Sequence, residues 1–212
     1  LKRSLAKTLC AIKRETYKNR TMNFKWNIPL TFIIGLAISL VACSQMSEQI
    51  QDKSAGLNGG FEVSKNGLPV NWLMYTSKTV PNADFEIILD KKDFKEGSQS
   101  LRFDVKKCED IGGWKSPGFT NEFYASGPYD GSGIYELSFW IKNQGITFNI
   151  SAGGVTPMEG EMETLLDSDQ SIEDWKFYKY EINVQKERHL RMQLNILSPG
   201  TFWIDDVKIK KI

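Results

Sequence analysis

Two stretches of this chain alternate so strictly that only one kind of secondary structure suits them. Leu101, Phe103 and Val105 alternate with Arg102 and Asp104; Leu190, Met192, Leu194 and Ile196 alternate with Arg191, Gln193 and Asn195. Successive side chains of a strand point to opposite faces, so each stretch reads as a strand with one face buried and one wet. Further short runs of β-branched and aromatic residues stand at 85–89, 135–141, 146–150, 177–184 and 202–209. Turn chemistry separates them at Lys95-Glu-Gly-Ser98, Tyr129-Asp-Gly-Ser-Gly133, Asn143-Gln-Gly145 and Ser198-Pro-Gly200. No stretch keeps a helical period for three turns. Residues 58–212 are therefore predicted to form one all-β domain, a sandwich of two antiparallel sheets large enough to need no disulfide.

The N-terminal part has a different character. An apolar run over residues 28–40 closes on Leu40-Val41-Ala42-Cys43, and Lys25 precedes it. The run has the length of a signal-peptide apolar region and is shorter than the ~20 residues of a bilayer span. Its end resembles the lipobox of bacterial lipoproteins, in which the peptide is cut before a cysteine that then carries lipid. A membrane anchor or buried helix is the other reading; the small residues before Cys43 and the polar residues 44–54 favour the signal. The expected organisation is an over-extended start at 1–21, a signal peptide at 22–42, a polar tether at 43–57 and the sandwich at 58–212. Acylation of Cys43 with two or three chains gives stable anchoring, since each buried methylene contributes ~0.8 kcal/mol. Ser44 stands where an inner-membrane retention aspartate sits in some sorting schemes, which points to the outer membrane, facing the periplasm or the cell surface.

Charge follows from that division. The whole chain has 27 Lys/Arg and 26 Asp/Glu, but eight of the basic residues and one acid precede Cys43. The remainder holds 19 Lys/Arg against 25 acids, a net −6. A mildly acidic domain lacks the clustered positive surface that nucleic-acid backbones require. Once Cys10 and Cys43 are set aside, Cys108 has no disulfide partner, and it reads as a structural thiol rather than a nucleophile. His189 is the single histidine, in the charged stretch Lys186-Glu-Arg-His-Leu-Arg191, which suits a solvated turn better than a triad.

Four segments then carry a resemblance. Asn58-Gly-Gly-Phe-Glu62 with Gly67-Leu-Pro-Val-Asn-Trp72, Glu96-Gly-Ser-Gln-Ser-Leu101, Tyr135-Glu-Leu-Ser-Phe-Trp-Ile-Lys142 and Trp203-Ile-Asp-Asp-Val-Lys-Ile209 follow one another along the chain. Together they resemble the galactose-binding-like jelly rolls of carbohydrate-binding modules of the family 4/9/22 type. The resemblance implies a jelly-roll fold and a poly- or oligosaccharide partner. It also implies a structural calcium held by Glu62 and Asp205 with backbone carbonyls. Alternation places Asp205 on one face with Trp203, Val207 and Ile209, where an acid needs a cation, a salt bridge or an outlet to solvent. Calcium takes six to eight oxygens and would satisfy it.

A sugar site is built from aromatic platforms with polar groups beside them. Trp72, Trp175 and Trp203 have packing explanations. Trp114 lies in the loop Ile111-Gly-Gly-Trp-Lys-Ser-Pro-Gly118, and Tyr124 and Tyr129 in the Gly/Pro/Ser-rich segment after it. Trp140 alternates with core residues and faces away from them. The expected ligand residues are Trp114, Tyr124, Tyr129 and Trp140, with Asn121, Glu122 and Arg102 as polar partners.

Glu159, Glu161 and Glu163 alternate as well, at a spacing two glycosidase carboxyls can use. An acidic, solvated hairpin is the plainer explanation, and a hydrolase is not expected. The expected function is non-catalytic glycan binding by a lipid-anchored envelope protein, beside glycan-degrading or uptake proteins. The alternative is a sandwich-fold interaction or assembly lipoprotein without a glycan site.

Overall fold

A computed structural model describes residues 49–122, 131–156 and 159–212. Cys43, Tyr124 and Tyr129, with the over-extended start, the signal peptide and the first part of the tether expected over 1–48, lie outside the described residues. The strands are β1 (Ser64–Lys65), β2 (Leu68–Pro69), β3 (Leu73–Tyr75), β4 (Asp84–Asp90), β5 (Ser100–Lys107), β6 (Gly118–Glu122), β7 (Gly133–Gln144), β8 (Phe148–Val155), β9 (Gly160–Ser168), β10 (Ile172–Val184), β11 (His189–Ile196) and β12 (Gly200–Lys211). They make two five-stranded antiparallel sheets, ordered β10-β7-β12-β5-β4 and β3-β6-β11-β8-β9, and a small β1-β2 hairpin. The all-β, two-sheet antiparallel sandwich read from the sequence is the fold observed.

Alternation builds the core. Leu101, Phe103, Leu137, Phe139, Ile141, Phe202 and Ile204 of the first sheet are fully buried. They meet Phe119, Phe148, Ile150, Leu190, Met192, Leu194 and Ile196 of the second, also fully buried. Each such side chain contributes roughly 1.5–3 kcal/mol by leaving water.

The opening motif closes one end of the sandwich. Asn58, at φ 53°, donates from Nδ2 to the carbonyls of Val63 and Val70, and its Oδ1 accepts from Val63 N. Trp72 Nε1 donates to the Asn58 carbonyl at 3.0 Å, and the Trp72 ring packs on Phe61 and Phe119. Gly59 sits so close to β12 that a Cβ there would lie 1.8 Å from the Val207 carbonyl oxygen.

One face assignment changes. A bulge shifts the register of β12 against β7 between Asp205 and Lys208, with Asp206 at φ 50°. An extra residue turns the following side chains over. Val207 and Ile209 therefore face the core, while Trp203 and Asp205 lie on the outer face of the first sheet, paired with Lys142 and Trp140 on β7. Residues 91–99 cover them, which is why both are buried although they point away from the core.

Candidate functional site

The outer face of the second sheet carries an amide-rich strip. Alternation along β11 aims Leu190, Met192 and Leu194 inward and therefore Arg191, Gln193 and Asn195 outward. In register beside them stand Asn149, Ser151 and Gly153 on β8, and Gly118 and Thr120 on β6. The amides are tied together: Gln193 Nε2 donates to Asn195 Oδ1 at 3.0 Å, and Asn195 Nδ2 donates to Asn149 Oδ1 at 2.8 Å. Gly118 and Gly153 bring no side chain to this floor. A Cβ would lie 2.0 Å from the Leu194 carbonyl oxygen at the first and 1.8 Å from that of Glu161 at the second.

Trp114 borders the strip. Its loop is a short 3-10 turn, Gly113–Lys115, whose Gly113 N donates to Asn195 Oδ1 at 2.7 Å. Gly112 N bonds Ser116 Oγ, which in turn donates to the Glu109 carbonyl. The indole lies on Tyr75 of β3, ring centroids 4.7 Å apart, and keeps 49% of its surface exposed. A half-exposed ring backed by a buried one beside fixed amides is an arrangement able to stack a pyranose and bond its hydroxyls. Gln193, Asn195, Asn149 and Tyr75 were not singled out from the sequence. Their signal was present in the polar positions of the strictly alternating β11.

Three of the other expected ligand residues, Asn121, Trp140 and Arg102, lie apart from Trp114. Glu122 ends β6 in register with Arg191, on the same sheet. Asn121 is a correction: it faces Met192 and is 2% exposed, and its Nδ2 donates to the Asn71 carbonyl at 3.0 Å, so it fastens the interior. Trp140 and Arg102 both lie on the first sheet's outer face, on the other sheet from Trp114, with Trp140 facing away from the core as its alternation implies. Arg102 bonds Asp90 and Asp104 at 2.7 Å each. Trp140 packs on Phe177, and the Lys95 ammonium stands 4.1 Å from its ring centroid. Trp175 and Trp203 on that face donate to Asp93 and Asp90. Burial pushes the Asp90 carboxyl up, but bonds from Lys92 N, Trp203, Arg102 and Asp93 N outweigh it and hold it at about 2.

Glu62 and Asp205 converge on one loop. Asp205 Oδ2 accepts from Lys95 N and Glu96 N at 2.8 and 3.0 Å, and Oδ1 from Asp206 N at 2.7 Å. Glu62 accepts from Ser98 N, Ser98 Oγ and Gln99 N. Gly60 lies between the two carboxylates: a Cβ there would be 3.6 Å from Glu62 Cγ and 4.0 Å from Asp205 Oδ1. Burial lifts the Asp205 carboxyl to about 6 in spite of its amide donors. For Glu62 burial is outweighed by Ser98 and Gln99, and its carboxyl is held below the usual range. Every oxygen of the two carboxylates already accepts from an N–H or O–H donor, and a hard cation would have to use their remaining lone pairs. Among the described residues no group of three or more acids, histidines or cysteines is arranged to hold a metal ion, so main-chain carbonyls would have to complete the shell.

Glu161 and Glu159 sit exposed on the edge strand side, 3.3 and 4.0 Å from the guanidinium of Arg188. Glu163 is exposed on β9. His189 opens β11 rather than occupying a turn. Cys108 is half-buried, its thiol pushed up by burial and by Asp110.

No protein-family model and no curated protein matches this chain. Solved structures do. The CBM22-1 xylan-binding domain of Paenibacillus barcinonensis Xyn10C aligns at TM-score 0.51 and 10% identity, covering 73% of this chain and 92% of that one. The C-terminal family 22 carbohydrate-binding module of Clostridium thermocellum Xyn10B aligns at TM-score 0.50 and 13% identity, covering 76% and 96%. The enzymatically active domain of bacteriophage CBA120 tailspike protein 4 aligns at 0.50 and 17%, covering 76% of this chain and 22% of that one. At such identities the likeness is one of fold. The domain has the jelly-roll β-sandwich fold of carbohydrate-binding modules.

Proposed function

We propose that this protein binds a glycan chain across the outer face of the second sheet and is held in the bacterial cell envelope by lipid on Cys43. The observation that carries the reading is the pairing of a half-exposed Trp114, backed by Tyr75, with the linked amides of Gln193, Asn195 and Asn149. The fold it shares with modules described as xylan-binding supports a polysaccharide ligand. The role is non-catalytic: Glu159 and Glu161 lie exposed beside Arg188. Glycan-degrading or uptake proteins of the outer membrane, on its periplasmic or cell-surface side, would use the captured chain. Calcium, held by Glu62 and Asp205, would fasten residues 95–99 to the closing strand.

A binding screen against soluble and insoluble glycans, xylans included, tests this, with Trp114→Ala and Gln193→Ala as controls. Binding weakened at least tenfold by either variant is expected. A folded protein that binds nothing across the panel turns the reading toward an assembly subunit. One observation favours that alternative: Phe94 and Phe177, 39% and 47% exposed, belong to the first sheet's covering loop and outer face.

A further inference from the structure

The three amides beside Trp114 are joined by bonds whose direction is set at one end. Gly113 brings a main-chain N–H, which only donates, to the side-chain oxygen of Asn195 at 2.7 Å. Asn195 Oδ1 therefore faces the loop, and its Nδ2 faces β8, where it donates to Asn149 Oδ1 at 2.8 Å. With its oxygen turned to Asn195, Asn149 points its NH2 group out of the relay. Gln193 gives Nε2 to the same Asn195 Oδ1 at 3.0 Å, which turns its own Oε1 outward. A carbonyl oxygen has two lone pairs, so Asn195 Oδ1 is fully used. An amide fits either way round, yet one N–H of the Trp114 loop selects the orientation of all three.

Asn195 is sunk beneath that loop. It is 8% exposed, and a Cβ on Gly112 would lie 3.5 Å from its Cγ. Gly113 sits at φ 57°, which glycine adopts freely, and this turns its N–H down onto the amide. Among the described residues Asn149 Nδ2 and Gln193 Oε1 have no further hydrogen-bond partner. They belong to diagonal neighbours on β8 and β11, ~7–8 Å apart.

Resting on the reading of this face as a glycan site, we propose that Asn195 is a positioning residue that fixes the site's polarity, with N–H donors at Asn149 and a carbonyl acceptor at Gln193. It acts through these two neighbours from under the loop, and the oxygen that orients them also holds the turn carrying Trp114. A sugar hydroxyl both accepts and donates, so one hydroxyl accepts at Asn149 while another donates at Gln193. Asn195→Asp separates this role from simple packing, because it keeps shape and volume. Its carboxylate still accepts from Gly113 N and Gln193 Nε2, so loop and Gln193 stay in place. Its second oxygen cannot donate, and Asn149 turns over to give it Nδ2, showing the ligand Oδ1 instead of NH2.

The test begins on isotope-labelled full-length protein without ligand. A scalar coupling across the hydrogen bond from Gly113 N to Asn195 Cγ is expected in the wild type and in Asn195→Asp. In the variant one Asn149 side-chain N–H moves downfield as it meets the carboxylate, while the Trp114 indole resonance stays put. Binding of a glycan found by screening should weaken about tenfold in Asn195→Asp. The same substitution should cost nothing further in an Asn149→Ala background, since its effect passes through Asn149. A missing coupling, an Asn149 amide unmoved by Asn195→Asp, or losses that simply add in the double variant overturns the proposal. The wild-type coupling needs no variant, so a misfolded Asn195→Asp leaves the proposal open to refutation. A wild type that shows the coupling but binds no glycan removes the glycan reading and leaves the fixed polarity standing. One that binds glycan without the coupling overturns the relay alone.

Discussion

Asn58 and Gly59 show how much of the opening motif is architecture. Three hydrogen bonds hold the Asn58 side chain to Val63 and Val70, and its carbonyl holds Trp72. Removing that side chain strands buried backbone groups, so Asn58→Ala should cost ~2–4 kcal/mol in denaturant unfolding. Gly59→Ala drives a Cβ into the Val207 carbonyl and should cost ~1–3 kcal/mol by opening β12 at its bulge. Trp114 is the opposite case. Half its surface is already wet, so Trp114→Ala should change stability by less than ~1 kcal/mol while removing glycan binding. Asp90 supplies a pH dependence. Its carboxyl is held at about 2, below its unfolded value of 3.8, so its contribution is complete above pH ~4 and lost as pH falls toward 2. Asp90→Asn should flatten that acid limb, read by tryptophan fluorescence because Trp203 bonds the same carboxylate. An unchanged limb would assign the acid sensitivity to another group.

At the scale of elements, the strands legible in the sequence are those with one buried face. β5 and β11 announce themselves through alternation, and seven of the runs read from the sequence correspond to strands of the two sheets. β9 was less plain, since its Glu161, Met162, Glu163 and Thr164 bring little apolar surface. At a sheet edge charges are tolerated, and they discourage pairing with other chains. β3 and β6 are short and take their places through tertiary pairing rather than pattern. The bulge in β12 is the costliest omission, because one inserted residue at Asp206 reverses the faces of Trp203 and Asp205. The candidate site suffered from a related limit: alternation says which side chains leave the core, not which of two sheets they leave from. Trp140 and Trp114 both qualified, and they stand on opposite faces of the sandwich. Gly153→Ala tests the floor of the second sheet. Its Cβ would meet the Glu161 carbonyl, so β9 should separate from β8, seen as faster hydrogen exchange along β9.

At the scale of the molecule the two outer faces divide the work. The part of the first sheet's outer face around Asp205 is covered by residues 91–99, pinned through Asp93 to Lys142 and Trp175 and through Lys95 and Glu96 to Asp205. The proposed calcium would stiffen this lid. Adding calcium to chelated protein should raise its Tm by several degrees, and Asp205→Asn should abolish the rise; equal melting with and without calcium would leave the amide bonds as the whole fastening. The second sheet's outer face keeps its amides and Trp114 for a ligand, and that division is the central claim. The measurement that tests it most directly is mapping amide chemical-shift changes as a glycan found by screening is titrated in. Changes concentrated on Trp114, Asn149, Gln193 and Asn195 are predicted. Changes centred instead on Trp140 and Phe177 would contradict the account and move the site to the other face.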